Sequence, residues 1–346
     1  MSKINIKNIR YFNNINIVDN GKNVVKSYID DNEYYKNKFY DEIVWMIKSQ
    51  YLIPHNIPKI HDFSLSYDDL WIKYEKIEYK TLHDLFVSGK KIDWNQVVDG
   101  YKQFINDCKK IKPEIFIKQD WFNKAIDFYL ERTYNNLLKI QDKEQFKGFF
   151  EYNHVLINDK EYPSVKLILD LLKDKISKLR ENSLKESDLF YQLVNINQER
   201  IFLTHLDLIF GNIFFDDKSK KIKVIDPRGS FADSKDYGDI YYDYAKIYQS
   251  IYGLYDFMVE DQFSIEKTEE NHFYFKIKVT KNLKSIREAF NKLLPNKEID
   301  VIKLLESLQF FAMTPAHNDN VNRQIVQLCT GIKHLYEILD VNVWEK

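Results

Sequence analysis

The sequence predicts an α+β protein in two lobes, a small, mostly antiparallel sheet with one helix packed on it and a larger, mainly helical part. Three observations predict it. The first ~78 residues fall into short alternating runs broken by turn residues, with one helical stretch among them. From Thr81 onward most of the chain carries apolar residues at helical spacing. One strand-rich stretch, residues 201–229 (IFLTHLDLIFGNIFFDDKSKKIKVIDPRG), interrupts that helical part and places polar residues between apolar runs. At 346 residues the chain can bury a sizeable core in two lobes.

Charge and composition narrow the function classes. Lys and Arg number 51 and Asp and Glu 52, for a net charge of −1. That balance argues against a disordered chain or a strongly nucleic-acid-binding one. Cys108 and Cys329 are far apart and lack metal spacing, which fits a reducing compartment without a disulfide framework. The N-terminus has no signal-peptide pattern, and no apolar run approaches the ~18 residues of a membrane span. The expectation is a soluble cytoplasmic protein with neither membrane nor nucleic-acid partners.

In chain order, residues 7–29 alternate around Asp19-Asn20-Gly21, and Asn-Gly after such a run signals a hairpin. The strand after it covers residues 22–29 and contains Lys26. From about Asn32 the residues Tyr35, Phe39, Ile43, Met46 and Ile47 recur at spacings of three or four, with Glu42 among them, until Pro54 and Pro58. Two further strands fit residues 59–65 and 70–76. Thr81 is placed to cap the next helix. Helical spacing then fits residues 94–110, 120–141, 143–150, 164–181 and 187–195. After the strand-rich stretch, residues 234–252 return to a helical pattern. Residues 263–279 alternate as strands with no assigned place, and helices fit 283–293, 302–312 and 320–339.

The chemistry concentrates in the strand-rich stretch. His205, Asp207 and Asn212 sit between two apolar runs, and Asp226 ends a third that follows a turn. Asp and Asn are poor strand formers, and a loop on a rigid sheet is where catalytic groups tend to sit. A carboxylate there can take a proton from a hydroxyl, while an amide oxygen and a second carboxylate can hold Mg²⁺, which prefers oxygen ligands. Phosphoryl transfer needs little more.

His205-Leu206-Asp207-Leu208-Ile209-Phe210-Gly211-Asn212 resembles the H-x-D-x-x-x-x-N catalytic loop of kinases, with Leu206 where protein kinases have Arg. The Asn-Ile-Phe-Phe and Val-Ile-Asp that follow resemble the aminoglycoside phosphotransferase and choline kinase superfamily. Gly238-Asp239-Ile240-Tyr241-Tyr242-Asp243-Tyr244-Ala245 is similar to that family's G-D-x-x-x-D-L-A helix. The resemblance implies a two-lobed, protein-kinase-like fold, with residues 1–78 as the nucleotide-binding lobe, 79–346 as the helical lobe and ATP between them. It implies Asp207 as catalytic base, Asn212 and Asp226 as Mg²⁺ ligands, His205 as a loop-shaping residue, and one of Asp239 and Asp243 as a brace of the catalytic loop. Lys26, with Lys22 as its rival, would hold phosphate, and Glu42, sixteen residues on, would position it. Backbone groups around Glu75 and Ile77 would read the adenine edge. The glycine-rich loop of the family is absent, and Asn13-Asn14 stands nearest to it.

Other residues keep two readings. Arg228 could meet an anionic acceptor or a neighbouring acid. His317 and Asp319 could bind acceptor, or Asn318 or Asp319 could simply cap the last helix. Tyr241, Tyr242, Tyr244, Tyr248 and Tyr252 fit packing, with an aromatic cage for a quaternary ammonium as the alternative. The reaction implied is transfer of the γ-phosphoryl group of Mg·ATP to a hydroxyl of a small molecule. Arg228 tilts the acceptor towards a sugar or polyol of cell-surface polysaccharide synthesis. Choline, ethanolamine or an aminoglycoside is the alternative, and a nucleotide-binding pseudokinase is the alternative of another class.

Overall fold

The computed structural model describes residues 13–339 and Trp344. Its contacts group the chain into two units. One comprises the chain through Leu85 with Lys91–Pro113 and Ile201–Gly238. The other comprises Phe86–Lys90, Glu114–Arg200 and the chain from Asp239 onward. The strand-rich stretch, residues 201–229, thus belongs to the same unit as the N-terminal sheet.

In the first unit, β1 (Asn13–Val18), β2 (Asn23–Tyr28), β3 (Ile60–Ser66) and β4 (Asp69–Glu75) form one antiparallel sheet in the order β1-β2-β4-β3. The turn between β1 and β2 is Asp19–Gly21, with φ of 51°, 54° and 90°, a conformation that suits Asn and Gly. The expected hairpin is therefore present from Asn13 on; residues 7–12 lie outside the described residues. Alternation along β2 turns Val24 and Lys26 to the buried side. A lysine in a core position needs a paired charge, because an isolated buried ammonium is costly.

The helix α1 (Glu33–Leu52) is capped by Asn32, whose side chain accepts from the amides of Tyr34 and Tyr35. It buries Phe39, Ile43 and Met46, the apolar stripe read from the sequence. Thr81 and Asp84 form a reciprocal capping box at the next helix: the Thr81 hydroxyl accepts from the Asp84 amide at 3.0 Å, and the Asp84 carboxylate accepts from the Thr81 amide at 3.3 Å. The Trp94–Lys109 helix buries Val97, Tyr101 and Phe104. The hairpin of Ile213–Asp216 and Lys221–Val224 is antiparallel. Asn56, just after α1, ties it down: its Nδ2 donates to the Ile222 carbonyl at 3.0 Å, and its own carbonyl accepts from the Val224 amide at 2.8 Å. The loop that ends α1 therefore also sets the height of the strands leading to Asp226.

In the second unit the helix expected over 120–141 runs as Lys118–Ala125, a π-helical stretch Ile126–Glu131, and Arg132–Leu138. The helix expected over 143–150 is only a 3₁₀ turn, Glu144–Phe146, and a single helical turn, Lys147–Phe150. After it comes a hairpin that the sequence reading did not assign, His154–Ile157 with Lys160–Pro163, turned by Asn158 and Asp159 at φ of 50° and 63°. Strands of four residues are too short for alternation to register, and only the Asn-Asp pair marks the turn. This hairpin gives residues 263–279 their place. Phe263–Glu269 and His272–Ile277 form a second hairpin, which pairs in parallel with His154–Ile157 through His272–Leu156 and Phe273–Ile157. The result is a four-stranded mixed sheet, held to the helices by Phe149 stacked on Phe273 with ring centroids 4.4 Å apart.

The helix expected to start at Ser234 begins at Ile240 instead, because the Asp239 side chain accepts from the Tyr241 amide and caps it there. Ser234–Lys235 pairs with Ser230–Phe231 as strand. The last helix, Val321–Ile338, is capped by Asn320 rather than by Asn318 or Asp319. Neither Cys108 nor Cys329 is in a disulfide, and both are buried. Among the described residues no helix is long and apolar enough to cross a membrane.

Candidate active site

Lys26 is 1% exposed, and its ammonium stands 2.6 Å from Glu42 Oε1 and 3.0 Å from Asp226 Oδ1. The three charged groups come from β2, α1 and the end of the catalytic hairpin, up to 200 residues apart in the chain. Lys22, the rival, is exposed. The ring of Phe39 lies beneath the ammonium, 5.3 Å away, and excludes water from one side of it. A lysine between two carboxylates is held in one place.

The loop from His205 to Asn212 is laced to the segment that bears Asp226. The Ile225 amide donates to the Asn212 carbonyl at 3.0 Å, and the Arg228 amide donates to the His205 carbonyl at 2.9 Å. The His205 Nε2 is 2.9 Å from the Ile225 carbonyl, so Nε2 carries the proton and donates. His205 is fully buried, with its ring edge-on to Trp45 of α1. Inside the loop, Asn212 Nδ2 donates to the Asp207 carbonyl at 2.8 Å. With Nδ2 committed there, Oδ1 is the atom Asn212 can offer a cation. Leu206 and Asp226 both adopt positive φ, 61° and 57°. Neither is glycine, so each carries backbone strain of about 1 kcal/mol that the lacing has to hold. Gly238 makes room for the turn at Leu206: a Cβ there would lie 2.7 Å from the Thr204 hydroxyl and 2.9 Å from Leu206.

The segment around Glu75 and Ile77, expected to read the adenine edge, lies at the end of β4. The Glu75 amide donates to the Lys59 carbonyl and the Lys76 amide to the Lys22 carbonyl, both at 2.8 Å. The Glu75 side chain pairs with Lys223. Tyr74, one residue earlier, is a site residue that sequence reasoning did not single out. Its hydroxyl is buried, and burial together with the nearby carboxylates of Asp226 and Glu42 pushes its pKa well above the usual phenol range. Alternation on β4 could have found it, since Tyr74 shares the buried face with Ile72, the cross-strand partner of Lys26.

Arg228 Nη2 approaches the Tyr34 hydroxyl at 3.4 Å. The remaining candidates lie in the second unit. Asp239 is fully buried: its carboxylate pairs with Arg200 and accepts from the Tyr129 hydroxyl at 2.8 Å. Asp243 is buried in the helix that Asp239 caps. His317 Nε2 meets the Tyr255 hydroxyl at 3.3 Å, and Asp319 pairs with Arg323 at 2.8 Å. The tyrosines of the Ile240–Ile251 helix meet cations of the chain itself, with Arg200 3.9 Å from the ring of Tyr241 and Lys246 5.7 Å from that of Tyr242.

No protein-family model matches the sequence, and no curated protein matches it significantly. Solved structures do match. The streptomycin–ATP–APH(2″)-IIa ternary complex is 13% identical, aligns over 96% of this chain and 90% of its own, and gives a TM-score of 0.50. A point mutant of aminoglycoside 2′-phosphotransferase-IIIa in complex with GDP is 12% identical over 95% and 88% of the two chains, also at 0.50. The chain has the kinase-like fold of the aminoglycoside phosphotransferases.

Proposed function

We propose that this chain is an ATP-dependent kinase that transfers the γ-phosphoryl group to a hydroxyl of a small molecule. The observation that carries the reading is the Lys26 ammonium bridging Glu42 and Asp226, in the unit where Asp207 and Asn212 are laced against Asp226. Asp207 accepts the proton of the attacking hydroxyl. Lys26, fixed by Glu42, lies against the phosphates. The Glu75 carbonyl and the Ile77 amide, an acceptor and a donor two residues apart, suit the amino group and ring nitrogen of adenine. Asn212 Oδ1 and the Asp226 carboxylate are hard oxygen donors fit for Mg²⁺. The metal, when bound, neutralises charge on the phosphate oxygens.

For the acceptor we favour a sugar or polyol. Arg228 places a cation two residues after Asp226, which suits a neutral or anionic molecule better than a cationic one. Choline is disfavoured because the faces of Tyr241, Tyr242 and Tyr252 meet Arg200, Lys246 and Arg287 instead. An aminoglycoside is the second reading, favoured by the shared fold and by the streptomycin in one of the matching structures. His317 and Asp319 would contribute to acceptor binding only if they exchange Tyr255 and Arg323 for it. Asp239, with its carboxylate committed to Arg200 and Tyr129, serves as a brace.

Purified protein with Mg·ATP, screened against sugars, polyols, amino alcohols and aminoglycosides, tests the reading. Phosphorylation of a sugar or polyol supports it. Turnover of choline alone would sink the acceptor preference. Mg²⁺-dependent nucleotide binding without turnover on any acceptor would favour a nucleotide-binding scaffold instead.

A further inference from the structure

The helix α1 is fixed to the catalytic segment by charge as well as by packing. Asp41, Trp45 and Lys48 lie at spacings of four and three, on one face of the helix. Lys235 Nζ donates to both carboxylate oxygens of Asp41 at 2.6 Å. Lys48 Nζ meets Asp236 Oδ2 at 2.5 Å. Between them, Trp45 stands edge-on to His205 with ring centroids 5.6 Å apart. Gly229, at φ +78°, passes so close to Asp41 that a Cβ there would lie 2.5 Å from its backbone.

The burial is uneven in a telling way. The side chains of Asp41 and Asp236 are 9% and 11% exposed, while those of Lys235 and Lys48 are 58% and 52% exposed. Each carboxylate is enclosed, and each lysine reaches in from solvent to meet it, since a buried carboxylate without a cation is costly. The charge order also fixes register. Two adjacent residues of opposite sign, Lys235 and Asp236, meet two α1 residues of opposite sign two turns apart. A slide of α1 by two turns would set like against like. The residue next to Asp41 is Glu42, the partner of Lys26.

We propose that Lys235 and Asp236 are positioning residues of the phosphate-binding centre: they hold α1 in the register that keeps Glu42 on Lys26. The proposal rests on the phosphoryl-transfer reading above. It predicts a selective defect. Loosening α1 displaces Lys26 from the phosphates and leaves the adenine-reading backbone in place.

The test is calorimetric binding of Mg·ATP and of adenosine to wild type, to the double variant Lys48→Gln/Lys235→Gln, and to the charge swap Asp41→Lys/Lys235→Asp, with thermal midpoints in parallel. The expected result is a Kd for Mg·ATP raised about tenfold in the double variant, an adenosine Kd within about twofold of wild type, and recovery of Mg·ATP affinity in the swap. Equal weakening of both ligands would mean general loosening of the fold and would overturn the proposal, as would an unchanged Mg·ATP Kd in the double variant. If the swap does not fold, the ratio of the two Kd values in the double variant decides alone. A wild type that binds no Mg·ATP would overturn the functional reading itself, which is a distinct result from binding that is insensitive to the clamp.

Discussion

Arg200 and Asp239 form a buried ion pair across the two ends of the catalytic segment. Arg200 is the residue before Ile201 and Asp239 the one after Gly238, so their bond closes residues 201–238 into a loop with a fixed base. The guanidinium also donates to the Leu193 carbonyl at 3.1 Å and lies on the face of Tyr241. Asp239 additionally accepts from Tyr129 and caps the following helix.

Removing one partner of such a pair leaves a buried charge uncompensated. Arg200→Met is expected to cost about 3 kcal/mol in stability, and Tyr129→Phe about 1 kcal/mol. Urea unfolding of the two variants checks this. An Arg200→Met variant as stable as wild type would mean that the pair contributes little to the base of the segment.

Glu42 touches no substrate in the mechanism above; it acts by holding Lys26. Glu42→Gln is therefore expected to lower kcat/KM for ATP without unfolding the protein. A charge fixed where negative charge develops is worth roughly 10²–10³ in rate, and misplacing Lys26 forfeits part of that. Steady-state kinetics of Glu42→Gln beside Lys26→Ala check the order, with the lysine variant the more damaged. An equal or larger loss in Glu42→Gln would require Glu42 to act on substrate itself.

His334 pairs with the buried Glu306 at 2.9 Å. Burial alone would lower the imidazolium pKa, but the charge and hydrogen bond of Glu306 outweigh it, and the net shift is upward. A His whose folded pKa lies above its unfolded value of about 6.5 adds stability that is fully present below that pH and is lost as pH rises through the folded pKa. Wild type is thus expected to be more resistant to urea at pH 6 than at pH 9 through this pair, and Glu306→Gln should shrink the difference. An undiminished difference in the variant would assign the pH dependence to other groups.

Much of this was legible in the sequence because the chemistry conflicts with the local pattern. Asp207, Asn212 and Asp226 interrupt apolar strands, and Lys26 occupies a strand position that alternation turns inward. The pairing of Lys26 with Glu42 came from the family resemblance, and the spacing of sixteen residues fits one strand end, one loop and part of a helix. Lys235 and Asp236 could not be read this way. Their partners are 194 and 188 residues away, and a Lys-Asp dipeptide before a helix looks like a solvated turn. The same holds for Arg200 and Tyr129, whose roles exist only once Asp239 is in place. The hairpin at 154–163 escaped because four-residue strands leave little periodicity to read, and with it went the placement of residues 263–279. The cap at Asp239 was visible as a residue type, yet the helical pattern was read back to Ser234.

The central claim is that Asp207 takes the proton of an attacking hydroxyl during phosphoryl transfer. Asp207→Asn keeps the shape and the carbonyl that Asn212 uses, but it removes the basic oxygen. Calorimetry with Mg·ATP should give a Kd within about threefold of wild type, while phosphoryl transfer to the acceptor found by the screen, followed with radiolabelled ATP, should fall roughly 10²–10⁴-fold. Turnover by Asp207→Asn equal to wild type would contradict the account, because the chemistry would then not pass through the residue around which the site is built.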